Sequence, residues 1–199
     1  VPRYRKSERV EAMNETRQLL LEAATDEFAR KGYAEANVNQ ISQTAGFAKG
    51  TIYNYFVSKR ALMLALIDEI ARLHLEFVAG PVQAEQEASR RVKAFFTAGF
   101  DFVSSHLSKA RVMVNNLYGP DAEFKEVMYY AYQPMFDLVS REIIEYGMAQ
   151  GVFRQVEPIS TANLFMTIYL GTASQVDEMG KSWLDGAQVA DFVVRGLSA

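Results

Sequence analysis

No cysteine occurs among the 199 residues. That excludes a disulfide framework, a cysteine-ligated zinc and a thiol nucleophile. Histidine is nearly as scarce: His74 and His106 stand alone and far apart. No close-spaced ligand set or glycine-rich phosphate loop accompanies them, so neither catalysis, a metal nor a cofactor is expected. No apolar run approaches the ~18 residues that a membrane span needs. The basic start, Val1-Pro2-Arg3-Tyr4-Arg5-Lys6, lacks the apolar stretch of a signal peptide. A soluble, cytoplasmic protein is the expectation. What is present is core material: 49% apolar and 12% aromatic residues, with 23% charged. Such a chain folds, as one domain or one plus a small attachment.

The net charge of −3 hides an asymmetry. From Ala36 to Arg60 there are Lys49, Lys59 and Arg60 and no acidic residue, whereas the rest of the chain is acidic. A local basic segment of this kind is either a polyanion-binding patch or ordinary scatter. Apolar spacing is helical nearly throughout, and no period-two alternation predicts a strand. A helix is expected over 16–31, stopped by Gly32. Asn37 can cap a short helix over 38–45, and a second short helix follows over about 49–56. Ser58 can cap a helix to about Ala79, ended by Gly80-Pro81. Further helices are expected over about 92–107, 121–150 (kinked at Pro134), 158–179 and 187–197.

The segment from Val38 to Phe56 reads helix, glycine turn, helix, which is helix-turn-helix order. Gly46 permits the turn, and Ile41, Ala45 and Ile52 can fix the angle between the helices. Lys49, Gly50, Thr51, Tyr53, Asn54 and Tyr55 then crowd a helix too short to bury all of them. Lysine and free backbone N–H groups at a helix start suit phosphate. Asn54 can bond adenine bidentately or touch only the backbone. One tyrosine hydroxyl of Tyr53 and Tyr55 suits phosphate, with part of one ring in the core. Lys59 lies just past the helix, placed for phosphate. The basic arm Arg3, Arg5, Lys6 and Arg9 either follows the DNA or is disordered.

The run Phe28, Gly32-Tyr33, Val38, Ile41, Ala45-Gly46-Phe47-Ala48-Lys49-Gly50-Thr51-Ile52-Tyr53-Asn54-Tyr55-Phe56, Ser58-Lys59 and Ala61-Leu62 resembles the DNA-binding domain of TetR-family transcriptional regulators. The resemblance covers roughly residues 16–66. It implies an all-α fold: a three-helix DNA-binding domain over 1–58, packed on a larger helical-bundle effector-binding and dimerisation domain over 59–199. Asn37, Lys49, Gly50, Thr51, Tyr53, Asn54 and Lys59 would fall at DNA-contacting positions. Three departures stand out. Ala48 replaces a usual turn hydroxyl, Arg60 a frequent acid and Asn54 a frequent ring residue.

The resemblance also implies an effector pocket and a two-fold dimer. Phe96, Phe100, Phe165, Tyr169 and Met128, with the polar groups of His106, Asn115, Tyr118 and Tyr132, are the pocket candidates; the same stripe read plainly is core. Glu142 is either a boundary residue or a further pocket group. The 121–150 helix, apolar almost all round, belongs inside a bundle. Met166, Thr167, Leu170 and Ser174, with Phe192 and Val193 of the last helix, are the dimer candidates. The function expected is a ligand-responsive, sequence-specific regulator. It would be a repressor released from a palindromic operator by a small apolar or aromatic effector. The alternative is an architectural DNA-binding protein without an effector.

Overall fold

The computed structural model describes residues 2–177 and 182–199, with side chains from Glu8 onward. Helices dominate, and among the described residues β-pairing is confined to the isolated bridges Phe153–Ser198 and Val176–Ser182. The order is α1 (Pro2–Glu35), α2 (Val38–Thr44), a 3-10 turn (Thr51–Asn54), α3 (Lys59–Ala84), α4 (Ala88–Ser105) and α5 (Leu107–Tyr118). Then come α6 (Ala122–Ala131), α7 (Gln133–Asp137), a π-helical segment (Leu138–Glu145), α8 (Tyr146–Ala149), α9 (Pro158–Ala173) and α10 (Gly186–Leu197). No described helix is long and apolar enough to cross a membrane.

Several element ends are set by side-chain caps. Asn37 Oδ1 accepts from the N–H groups of Asn39 (3.0 Å) and Gln40 (3.2 Å). Ser58 Oγ accepts from Ala61 N at 3.0 Å, and Asp121 Oδ1 from Glu123 N at 3.0 Å. Each satisfies a donor that a helix start would otherwise leave unpaired. Gly32 interrupts α1 at φ 72°, as expected of a left-handed stop. The helix nevertheless begins at Pro2 rather than near Thr16, so the basic N-terminal segment is helical. The side chains of Arg3, Arg5 and Lys6 lie outside those described.

Three predicted boundaries are corrected. Pro81 does not end α3 but sits inside it. Its missing N–H would leave the carbonyl of Phe77 free, and both residues lie at the surface, where water can take that role. The 121–150 helix is not one kinked helix. It breaks at Tyr132 (φ −91°, ψ 0°), and Pro134 falls in the first turn of α7, where proline lacks no bond. Its surface is also two-sided: Phe124, Met128 and Met135 are buried, while Tyr129 and Tyr130 are exposed. The 158–179 helix ends at Ala173; Met179 and Gly180 lie outside the described residues.

One apolar core runs through the whole molecule. It joins Leu20, Phe28, Ile41 and Ile52 at one end to Phe95, Phe165 and Val189 at the other. α3 is the link, with Leu62, Met63, Leu66, Ile67, Ile70, Val78 and Val82 all buried. At its far end α4 meets α9 at Gly99, where an added Cβ would lie 2.4 Å from the Tyr169 ring. Gly99→Ala is therefore expected to cost about 1–3 kcal/mol of unfolding free energy. Gly80→Ala, in the exposed part of α3 with nothing within 4 Å, is expected to add about 0.5–1 kcal/mol. Urea denaturation of both variants measures the contrast; equal effects would refute the close packing at Gly99.

Candidate nucleic-acid interface and internal cavity

α2 and the segment after it form a compact projecting unit. Gly46 takes φ +87°, which lets the chain reverse after α2. Ser42, fully buried, donates its hydroxyl to Ala48 O at 2.7 Å and accepts Phe47 N on its own carbonyl at 2.9 Å. Val38 and Ile41 of α2 and Ile52 of the turn are buried in the core, with Ala45 packed against it. The second element is shorter than predicted: a 3-10 turn over Thr51–Asn54 rather than a helix over 49–56. The cause lies in the sequence. Ala48 and Gly50 offer no capping side chain, and Gly50, Thr51, Ile52 and Asn54 are weak helix formers.

The turn leaves Lys49, Gly50, Tyr53 and Asn54 exposed, with Thr51 and Tyr55 half-buried. Tyr55 packs against the core whereas Tyr53 is 49% exposed. This divides the two tyrosines as expected. Asn37 is exposed, but its carboxamide oxygen is committed to capping α2. On α2 the exposed Asn39, Gln40, Gln43 and Thr44 border the same unit. Their polarity and spacing were signals that the sequence reading passed over.

The basic segment is less free than its composition suggests. Lys59 Nζ donates to Ala34 O at 2.9 Å and lies 5.0 Å from the Tyr33 ring centroid. Arg60 pairs with Glu123 of α6. The pair ties the start of α3 to α6. Lys49 alone of the three makes no ion pair or hydrogen bond with a described residue. The same side of the molecule carries a cleft of about 500 Å³ between α1 and the α5–α6 corner, bordered by Tyr33, Asn115, Tyr118 and Phe124.

The predicted pocket residues divide. Phe96, Phe100, Met128, Tyr132, Phe165 and Tyr169 are buried together in the body. Asn115 and Tyr118 are exposed on the cleft beside α1 instead. His106 is half-buried and faces a surface hollow with Glu22 and Lys109. Glu142 is a boundary residue that accepts from Gln83 Nε2 at 3.2 Å. The buried histidine is the other one. His74 on α3 has no exposed surface. Its ring stacks on Phe102 (centroids 4.1 Å apart, 9° between planes). Its Nδ1 lies 3.2 Å from Tyr132 Oη and its Nε2 2.8 Å from Tyr169 Oη. Tyr169 Oη also lies 3.1 Å from Gly99 O, and Tyr132 Oη 2.7 Å from Met113 Sδ. Burial, then the nearby His106, push the His74 pKa down to about 3. Burial raises both tyrosines above their usual value. All three are thus neutral over the physiological range. The sequence signal for His74 was available: it follows Ile67, Ile70 and Ala71 at helical spacing on one face of α3.

Beside Tyr132 lies a narrow cavity of about 80 Å³ between α5, α6 and α9, walled by Met113, Leu117, Met128, Met166 and Leu170. Of the predicted dimer residues, Met166 and Val193 are therefore interior. Thr167 and Phe192 are exposed, and Leu170 and Ser174 are half-buried. The inner face of α9 is Ala162, Phe165, Met166, Tyr169 and Ala173, a three–four spacing that places neighbours 165 and 166 both inward.

Comparison with known proteins agrees with this geometry. Residues 20–66 match the family of bacterial regulatory proteins described as the tetR family. Over 198 residues the chain is 25% identical to the uncharacterised HTH-type transcriptional regulator YhgD of Bacillus subtilis, covering 92% of this chain and 97% of that one. The family match spans the end of α1, α2, the 3-10 turn and the start of α3, and it is this segment that is similar to the tetR family. The chain is also 29% identical to the HTH-type transcriptional activator FasR of Mycolicibacterium smegmatis, covering 65% of this chain but only 61% of FasR's length. Among solved structures, the Bacillus subtilis regulator FadR in complex with stearoyl-CoA superposes with a TM-score of 0.78 at 18% identity, over 92% of this chain and 97% of that one. AibR in complex with isovaleryl coenzyme A and operator DNA gives 0.72 at 21% identity, over 92% and 98%.

The buried histidine is expected to make the protein acid-sensitive. The unfolded chain takes up a proton near pH 6.5 that folded His74 refuses down to about pH 3. Unfolding free energy is therefore expected to fall by up to about 1.4 kcal/mol per pH unit as pH drops below 6.5. His74→Leu should flatten that part of the profile, measured by urea midpoints across the range. An unchanged slope would show that His74 is protonated in the fold.

Proposed function

We infer that this protein is an effector-responsive, sequence-specific DNA-binding regulator of the TetR family, acting as a repressor on a roughly palindromic operator. The observation that carries the reading is α3. Its first residues, Lys59 and Arg60, hold the reading unit, and further along it His74 packs behind Tyr132 of the cavity wall. A ligand that shifts the body therefore acts on the element that aims the reading turn. Its leverage equals its differential affinity for the two arrangements. Lys49 and the N–H groups around Gly50 would take phosphate, Tyr53 and Thr51 would position the turn, and Asn54 would reach a base edge. Lys59, braced on Ala34 and Tyr33, and Asn37 and Tyr55 at the margin complete the surface. The acyl-CoA complexes of FadR and AibR favour an apolar acyl effector over an aromatic one.

A second copy is needed to read two half-sites. The outer faces of α9 and α10 suit it: Ile159, Leu164 and Phe192 are 68%, 61% and 71% exposed. Large apolar side chains clustered on two such helices mark an interface. The pair Leu164→Glu and Phe192→Glu should halve the mass measured by light scattering. Retention of a dimer would move the interface elsewhere.

Selection of bound duplexes from a random library tests the DNA reading. A palindromic winner is expected. On it Lys49→Ala should lower the salt slope by about one. Asn54→Ala should relax one base position in each half-site at about 1–3 kcal/mol. Salt-dependent binding without sequence enrichment would instead support an architectural role.

A further inference from the structure

The buried triad has fewer protons than acceptors. Tyr169 has one hydroxyl proton for Gly99 O and His74 Nε2, and Tyr132 has one for Met113 Sδ and His74 Nδ1. A neutral imidazole carries a single N–H. Of the four arrangements that use all three donors, only two also give the unprotonated ring nitrogen a donor. In the first, Nε2–H donates to Tyr169, Tyr169 to Gly99 O, and Tyr132 to Nδ1. In the second, Nδ1–H donates to Tyr132, Tyr132 to Met113 Sδ, and Tyr169 to Nε2. A carbonyl is a strong acceptor and a thioether a weak one, so the first dominates while Met113 is Tyr132's other neighbour.

Met113 is also a wall of the cavity, with Met128 and Met166 beside it. Methionines are unbranched and re-pack easily. The cavity meets the surface at Tyr129, which is 55% exposed. Among the described residues no lysine, arginine or carboxylate lines it. Its volume of about 80 Å³ takes a small group rather than a whole large ligand, so a longer chain would extend outward past Tyr129.

We propose that Tyr132 is the effector-sensing hydroxyl of this protein, covered by the Met113 thioether until an uncharged alkyl or acyl ligand brings a carbonyl oxygen to it. The proposal rests on the effector-responsive reading above. A ketone, ester or thioester carbonyl in place of Met113 Sδ makes the second arrangement the stronger one. Tyr132 then donates to the ligand, the imidazole proton moves to Nδ1, and Tyr169 turns from Gly99 O to Nε2. The bond tying α9 to α4 is exchanged for one to His74, on α3. Binding is thus written into the two helices that position the reading unit. A free carboxylate is excluded, because no cation lines the cavity and an unpaired buried charge is costly.

The probes are methyl ketones from butanone to 2-octanone, with octanoate as the charged counterpart. Full-length protein is titrated and followed by Tm and by the 15N resonances of His74, which report the protonated ring nitrogen. At least one ketone is expected to raise Tm and to move the His74 proton from Nε2 to Nδ1, and octanoate is not. Tyr132→Phe should weaken that ketone roughly tenfold and abolish the proton shift, whereas Tyr169→Phe should keep most of the affinity. Absence of binding by every ketone, an unmoved His74 proton, equal binding of octanoate or undiminished affinity in a folded Tyr132→Phe variant would each overturn the assignment. The wild-type 15N measurement stands even if a variant fails to fold. Ketone response in a protein that binds no duplex would overturn the regulatory reading and leave Tyr132 as a ligand-sensing group.

Discussion

Burial of one whole face of α3, from Leu62 to Val82, is the constraint from which the rest of the structure follows. Leu62, Met63, Leu66, Ile67, Ile70, Val78 and Val82 are each nearly inaccessible. They face α1, α4, α5 and α6 in turn. A helix so packed cannot move without repacking several neighbours, because interiors are close-packed and resist continuous deformation. That makes it a lever with discrete positions rather than a flexible hinge. The reading turn needs such a support. Four residues of 3-10 helix with no capping side chain cannot hold their own orientation, and Ile52 and Phe56 anchor them to the shared core.

Inside that core the polar groups are few and fully engaged. No buried side-chain nitrogen or oxygen among the described residues lacks a partner. His74, Tyr132 and Tyr169 therefore cost less than their burial suggests, since each desolvated atom meets another. The same economy gives the network two proton arrangements of similar connectivity. A ligand that offers one better acceptor can bias between them. The π-helical segment follows a similar logic: Arg91 donates to Glu142 O at 2.7 Å while its guanidinium stacks 3.7 Å over Tyr146. A carbonyl in the irregular helix thereby gains a charged donor.

Electrostatics at the reading unit illustrate how composition and structure diverge. Three cations in an acid-free stretch read either as a polyanion-binding patch or as ordinary scatter. Folding brings Ala34 O to Lys59 and Glu123 to Arg60, across gaps of 25 and 63 residues. Two of the three charges thereby serve the attachment of the unit to the body. Exposed pairs of this kind contribute modestly to stability, so their main effect is on orientation.

Local chemistry decided what the sequence could reveal. The all-helical class, the Asn37 and Ser58 caps, the Gly46 turn and the exposure of Lys49, Gly50, Tyr53 and Asn54 were legible. Each depends on residues within a few positions of one another, and short-range hydrogen bonds and helical periodicity carry that information. The polar heart of the body was not legible. Helical spacing makes Tyr132 and Tyr169 candidates for the interior, but it offers His106 rather than His74 as the histidine beside them. Which histidine lies inside depends on the packing of α3 against α4 and α9, residues up to 95 apart in the chain. The same holds for Arg60, for Pro81 within a helix and for the inward turn of Met166. A sequence on its own sets which face of each helix is apolar. Only the assembled bundle decides which faces meet, and hence which polar groups must find each other once water is gone.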